Sequence, residues 1–277
     1  MDPPWNPALL EGALFASLAP VLARLDWPAG RWPGHAQYQA LLDDAPFPVV
    51  SGLGVPLRVC EPLPAEGGWE AGYEPRIARE GFLQTRRENW HDLFNLLVWA
   101  AFPRTKAALN RCHYQLQQAR AQRGETGRTR IEHALTQFDE SGVIVMSADP
   151  ELTALMHAFR WKELFWERRA RVETHMACYL FGHGLLHKAL APFVGMTGKG
   201  MVVEVTAELF QAPLAERLTR LDQAVAEAVP RLDSPADLQP VPVLGFPGFT
   251  PANARPGYYD NQAYFRPGRR RDSPAPI

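Results

Sequence analysis

The chain has 277 residues, is 46% hydrophobic and carries a formal net charge of -1, a composition that suits a globular protein with one large domain or two small ones. Three scattered cysteines, Cys60, Cys112 and Cys178, form no CxxC pair and are odd in number, which indicates neither a disulfide framework nor a zinc knuckle and reads as free thiols. The opening MDPPWNPALLEG lacks a basic n-region and a long apolar h-region, and the longest apolar run, Leu96 to Phe102, is too short to span a bilayer, so a cytoplasmic protein with no membrane partner is expected.

In chain order, Leu10, Leu14, Leu18, Val21, Leu22 and Leu25 recur at helical spacing and predict an amphipathic helix from Pro7 to about Leu25. Trp27 to Gly72 is crowded with Pro and Gly and reads as loops around a short helix near His35 to Leu42 and a strand near Leu57 to Cys60. ENWHDLFNLLVWAAFPRTK, Glu88 to Lys106, predicts a helix buried nearly all round and followed, at Pro103, by a second helix to about Arg123 that makes a corner with the first. Gly124 to Arg130 is a polar linker. His133 to Ser147 switches to strand character, and DESG with Gly142 predicts a β-hairpin. Helical periodicity returns from Pro150 to Arg169 and from about Val172 to Leu190, Met201 to Val205 is a strand candidate, and Pro213 to Val229 is a last amphipathic helix. The expected class is α+β, mainly helical, with a small antiparallel sheet including one β-hairpin. Residues 1–240 would form one domain and 241–277 an extended Pro- and Gly-rich tail packing on it or trailing from it.

Charge is distributed unevenly. Arg76 to Ile131 holds eleven Arg or Lys against four acids, whereas Glu132 to Glu151 holds five acids and no Arg or Lys. Two readings compete: a basic surface for phosphate-bearing ligands, or basic and acidic segments that pair with each other.

Four constellations could carry chemistry. At about 100° per residue, Glu88, His91, Asp92 and Asn95 share one helix face, where carboxylate, imidazole and amide can bind a divalent metal or run acid-base chemistry. The competing role is a structural polar network. The His91-Asp92 pair is similar to the dyad of metal phosphohydrolases, whose sites need further ligands from other helices. Arg104, Thr105 and Lys106, with Asn110 and His113 beyond them, open the next helix, whose free N-H groups favour an anion; pairing of Arg104 and Lys106 with acidic residues is the alternative. Asp139 and Glu140 could reach a metal brought in by His91 and Asp92, or could serve the turn. His175, His183 and His187 are expected on one helix, with His183 and His187 at i, i+4 spacing but without the glutamate of the HExxH motif; core packing competes with a shared site beside His91. Arg269 to Arg271 reads as a solvated tail. GxGxxG, GxxxxGK[ST] and GxSxG are all missing from the sequence, which argues against Rossmann redox chemistry, P-loop hydrolysis and α/β-hydrolase esterolysis.

ENWHDLFN at Glu88 to Asn95, FPRTK at Phe102 to Lys106, Leu109 with Asn110, FDE at Phe138 to Glu140 with Gly142, FGH at Phe181 to His183 and LGFPG at Leu244 to Gly248 resemble a bacterial family known as domain of unknown function 3025. The resemblance covers most of the chain and implies no activity or residue role. The chemistry therefore rests on the residues. The leading expectation is a metal-dependent hydrolase of a phosphorylated or anionic small molecule, with His91, Asp92, Asp139 and His183 as ligands to a divalent metal, Glu88 or Glu140 as base, and Arg104, Thr105 and Lys106 as anion clamp. The alternative is a non-enzymatic interaction or nucleic-acid-associated protein whose nucleic-acid binding would be weak and nonspecific.

Overall fold

A computed structural model describes residues 2–24, 27, 30–64 and 66–268. Helix dominates: α1 (Ala19–Leu22), α2 (His35–Asp43), α3 (Tyr73–Glu80), α4 (Trp90–Ala101), α5 (Pro103–Gln122), α6 (Arg130–Ser141), α7 (Pro150–His157), α8 (Arg169–His175), α9 (His183–Lys188) and α10 (Leu214–Ala228). Strands β1 (Arg58–Cys60) and β2 (Phe82–Gln84) form a small parallel pair, and β3 (Gly142–Ser147), β4 (Met176–Leu180), β5 (Thr197–Glu204) and β6 (Gln239–Pro242) form a sheet in the order β4-β3-β5-β6. The fold is thus α+β and mainly helical.

The main sheet is mixed rather than antiparallel. Val143 pairs with Leu180 across an antiparallel edge, while Ile144 pairs with Met201 across a parallel one. All six residues of β3 are buried, the pattern of a central strand covered on both faces, which reads as a continuous apolar run instead of an alternation. Residues 241–268 contribute to the same core through Val241, Leu244, Phe246, Tyr259 and Tyr264, and the Tyr264 hydroxyl donates to the Met196 carbonyl at 2.7 Å.

The predicted hairpin does not form. His133 to Ser141 is instead the body of α6, and only Gly142 onward is strand. The start of α6 is fixed by a reciprocal cap: the Glu132 amide donates to Thr129 Oγ1 at 3.1 Å and the Thr129 amide to Glu132 Oε2 at 2.7 Å. Ala134, Leu135 and Phe138 then face the core at helical spacing, so Asp139 and Glu140 lie in a helical turn, not in a hairpin loop. Gly142 is needed for room, not for a positive φ: a Cβ there would sit 2.3 Å from the Phe138 carbonyl oxygen.

Two long helical readings are also broken up. Pro7 to Leu22 is a 3-10 turn, a second 3-10 turn and the short α1, because Gly12 at φ +104 interrupts the coil; Leu25 lies outside the described residues. After α7, Phe159 turns the chain at φ +57, a π-turn runs over Glu163–Glu167, and α8 ends at His175. Met176–Leu180 leaves the helix to pair with β3. The three histidines therefore occupy two helices, with His175 apart from His183 and His187 on α9.

The corner between α4 and α5 positions the site. From Trp90 to Ala100, all but His91 and Asp92 are buried, and Phe102 links the two helices with Pro103 in the first turn of α5, where a missing N-H costs nothing.

Candidate metal centre

Asn89 accepts a hydrogen bond from the Asp92 amide at 3.0 Å and so starts α4 at Trp90, two residues after Glu88. Glu88 is exposed at φ +50; it stands outside the helix and off the face where it is expected. Asp92 also turns away. Its Oδ2 accepts from the Arg86 amide at 2.8 Å and from Arg86 Nε at 2.9 Å, and its Oδ1 from Arg86 Nη2 at 2.8 Å, so this carboxylate braces the entry to α4. Burial acts against the charged form of Asp92, but the Arg86 contacts outweigh it and hold the carboxyl below its ordinary range.

His91, in contrast, faces α6 and α9. Its ring lies 4.6 Å, centroid to centroid, from that of His183 in an edge-on arrangement. Glu140 Oε1 is 3.3 Å from His183 Nε2 and 3.9 Å from His91 Nε2, and one ligand atom from each of these three residues falls within 4.8 Å of the other two. Two imidazoles and a carboxylate at this spacing can close on a Zn2+-sized ion at about 2.0–2.2 Å per bond with small side-chain rotations, leaving a fourth position open.

Behind His183 stands a second carboxylate. Asp139 Oδ2 is 3.6 Å from His183 Nδ1, a buried nitrogen without a hydrogen-bond partner, while Asp139 Oδ1 accepts from Lys106 Nζ at 2.5 Å. Lys106 also donates to Asn95 Oδ1 at 2.9 Å, and Asn95 Nδ2 donates to the Tyr73 hydroxyl oxygen at 2.6 Å. Carboxylates in this position orient a metal-binding imidazole and fix its tautomer. Asp139 is thus placed to support the histidine rather than to bind an ion itself.

Electrostatics favour the metal-binding protonation states. Burial and the neighbouring His183 lower the His91 pKa, keeping its imidazole neutral near pH 7. Contact with His183 draws the Glu140 carboxyl down against the opposing effect of burial. Burial acts against ionised Asp139, yet Lys106 and His183 more than offset it and leave the carboxyl below its usual value. Gly184 completes the cradle. A Cβ at that position would lie 2.4 Å from Glu140 Oε2, so the missing side chain gives the carboxylate its place over the start of α9.

The expected anion clamp is divided between two sides of α5. Lys106 turns toward Asp139, whereas the amides of Arg104 and Thr105 donate to the Asp222 carboxylate at 3.1 and 2.8 Å. The helix N-terminus does attract an anion, and that anion is the protein's own Asp222 on α10. Thr105 Oγ1 also donates to the Asp222 carbonyl at 3.0 Å. Asn110 locks a loop, accepting from the Gly52 amide at 2.9 Å and donating to Glu74. Pairing between the basic and acidic segments is visible at Lys106 with Asp139 and at Arg120 with Glu132, 3.4 Å apart. Arg269 to Arg271 lie outside the described residues.

Asp222 is the polar contributor that sequence reasoning missed, and a separation of 117 residues from Thr105 offers no local signal for it. The pairing of Lys106 with Asp139 is the alternative the sequence offers for that lysine, whereas Arg104 lies by Asp222 on α10 and not by the acidic segment.

Fold and cluster together define a mainly helical α+β protein with a mixed sheet and a partly exposed group of two histidines and one glutamate at the junction of α4, α6 and α9. The model of the family described as protein of unknown function (DUF3025) matches residues 63–269, and the chain belongs to that family. No curated protein and no solved structure matches the chain. Among the described residues, no helix is long and apolar enough to cross a membrane.

Proposed function

We propose that this protein is a cytoplasmic metal-dependent hydrolase acting on a phosphorylated or otherwise anionic small molecule, with His91, His183 and Glu140 as the metal ligands. The observation that carries the reading is the convergence of these three side chains from three helices, with Asp139 and Lys106 behind His183. A divalent ion held there would supply Lewis acidity and an activated water. The remaining roles belong to the chain. His91 presents a neutral nitrogen, Glu140 brings negative charge, and Asp139, 3.6 Å from His183 Nδ1, stands where a small approach would let it accept from that nitrogen and fix the ring. Since Lys106 and the first amides of α5 are engaged by Asp139 and Asp222, the charge of a substrate would be met by the metal rather than by an Arg104-Lys106 clamp.

The test is metal uptake followed by chemistry. Added Zn2+ or Mn2+ should raise the melting temperature of the wild type through linkage, and the gain should vanish in His91→Ala and His183→Ala. The loaded protein should hydrolyse p-nitrophenyl phosphate faster than metal-free protein. A wild type whose melting temperature ignores both ions would overturn the metal reading, and uptake without turnover of phosphate or carboxylate esters would overturn the hydrolase part.

A further inference from the structure

A second site lies on the opposite side of the first turn of α5. A pocket of about 240 Å³ opens between the N-terminal segment, the α4–α5 corner and α10. Its walls include Pro20, Val21, Ala100, Ala101 and Leu218, short apolar side chains that leave space rather than fill it. A cavity of about 150 Å³ accepts benzene, so this one has room for a ring or branched chain together with a polar head.

The polar lining is sparse and uneven. Arg104 Nη1 is buried with no hydrogen-bond partner, and at 3.9 Å the Asp222 carboxylate is too far to supply one. Asp222 is itself committed to the Arg104 and Thr105 amides. Phe47, also in the lining, lies under the guanidinium, 4.5 Å from ring centroid to Cζ. Arg24 adds a second guanidinium to the lining and donates through Nη1 to the Asp44 carbonyl at 2.8 Å. Two cations face one internally satisfied carboxylate. An apolar cavity with a few convergent polar groups is the usual form of a small-molecule site, and a buried donor without an acceptor is a standing cost that a ligand oxygen removes.

We propose that this pocket binds a small hydrophobic carboxylic acid, whose carboxylate accepts from Arg104 Nη1 and whose ring or branched chain lies against Val21, Ala100 and Leu218. The site is separate from the metal centre and does not depend on it.

Benzoate is a suitable probe, with benzamide as its neutral counterpart, followed by ligand-observed NMR and calorimetry. Benzoate should bind the wild type, benzamide about tenfold more weakly, the factor expected for about 1.4 kcal/mol of lost charge assistance. Arg104→Gln and Arg104→Lys should both weaken benzoate, and Ala101→Phe should fill the cavity and abolish binding, each variant being checked for native near-UV circular dichroism. His91→Ala, and wild type in EDTA, should bind benzoate as well as untreated wild type. Failure of benzoate to bind at millimolar concentration would overturn the proposal, as would equal binding to folded Arg104→Gln or Arg104→Lys. Loss of binding in His91→Ala or EDTA would assign benzoate to the metal ligands instead, which also overturns it while leaving the metal reading intact.

Discussion

The two faces of the α4–α5 corner handle buried charge in opposite ways. On the α10 side, Asp222 is almost fully enclosed, and its carboxylate meets the open amides of Arg104 and Thr105 at hydrogen-bonding distance. On the α9 side, His91 and Glu140 are partly exposed and stand 3.9 Å apart, and they join His183, 3.3 Å from Glu140, in a group whose three ligand atoms lie within 4.8 Å of one another. A polar group that braces a fold is saturated by the fold, whereas a group kept for a ligand retains unfilled bonding capacity. By that criterion Asp92 and Asp222 belong to the framework and the group of His91, His183 and Glu140 to the candidate site. Lys106 and Asp139 connect the two.

The contrast can be broken most severely at that connection. Removing the ammonium in Lys106→Ala strands the Asp139 carboxylate, and loss of one partner from a buried ion pair typically costs about 3–5 kcal/mol. Chemical denaturation should show a loss of that order. An unchanged midpoint would mean that Asp139 has solvent or another partner to rely on.

Asp222→Ala should come next, at about 2–3 kcal/mol, since it removes a cap and leaves two enclosed N-H groups on α5 unsatisfied. Its metal uptake should match the wild type in any molecules that remain folded. Loss of metal from a folded Asp222→Ala protein would erase the distinction between the two faces.

Acid should resolve the α9 side in two steps. The folded-state pKa of His91 is lowered from its ordinary 6.5, so the unfolded chain takes up the proton first as pH falls. Stability is therefore lost on acidification below that value, and His91→Ala should flatten the slope of melting temperature against pH there. Asp139, depressed below 3.8, acts lower on the scale. Its contribution is present above that value and is lost as pH falls through the folded-state pKa. A His91→Ala profile parallel to that of the wild type between pH 7 and about 5 would show that His91 is not shielded as described.

The smallest effect is expected at Glu88. Glu88→Ala removes an exposed side chain outside α4 and should change stability by less than about 0.5 kcal/mol, with no loss of metal affinity in calorimetry. A marked fall in affinity would return Glu88 to the site.

How much of this was legible in the sequence varies with the range of the forces involved. The α4–α5 corner was readable because its apolar surround and Pro103 are local signals. The convergence of His91 with His183, although they are far apart in the chain, was open as one alternative because both carry imidazoles in apolar company. The α6 start was written in Thr129 and Glu132, but the turn-forming residues Asp139 to Gly142 dominated the reading and turned a helix end into a hairpin. Met176–Leu180 was lost for a different reason: a short apolar run suits a helix or a buried strand equally until its partner β3 is known. Asp92 shows the limit of periodicity. Helical spacing places it one residue from His91, yet an arginine just ahead of the helix claims its side chain.

The hydrogen bond from the Thr105 amide to Asp222 spans 117 positions, and chains are made from the N-terminus at about 5–20 residues per second. For several seconds of synthesis the emerging α5 has its first turn open and Lys106 without Asp139, so the corner beside His91, His183 and Glu140 can close only after α6 and then α10 have left the ribosome. A nascent chain arrested before Asp222 should therefore expose the α4–α5 junction to proteases that the finished protein resists.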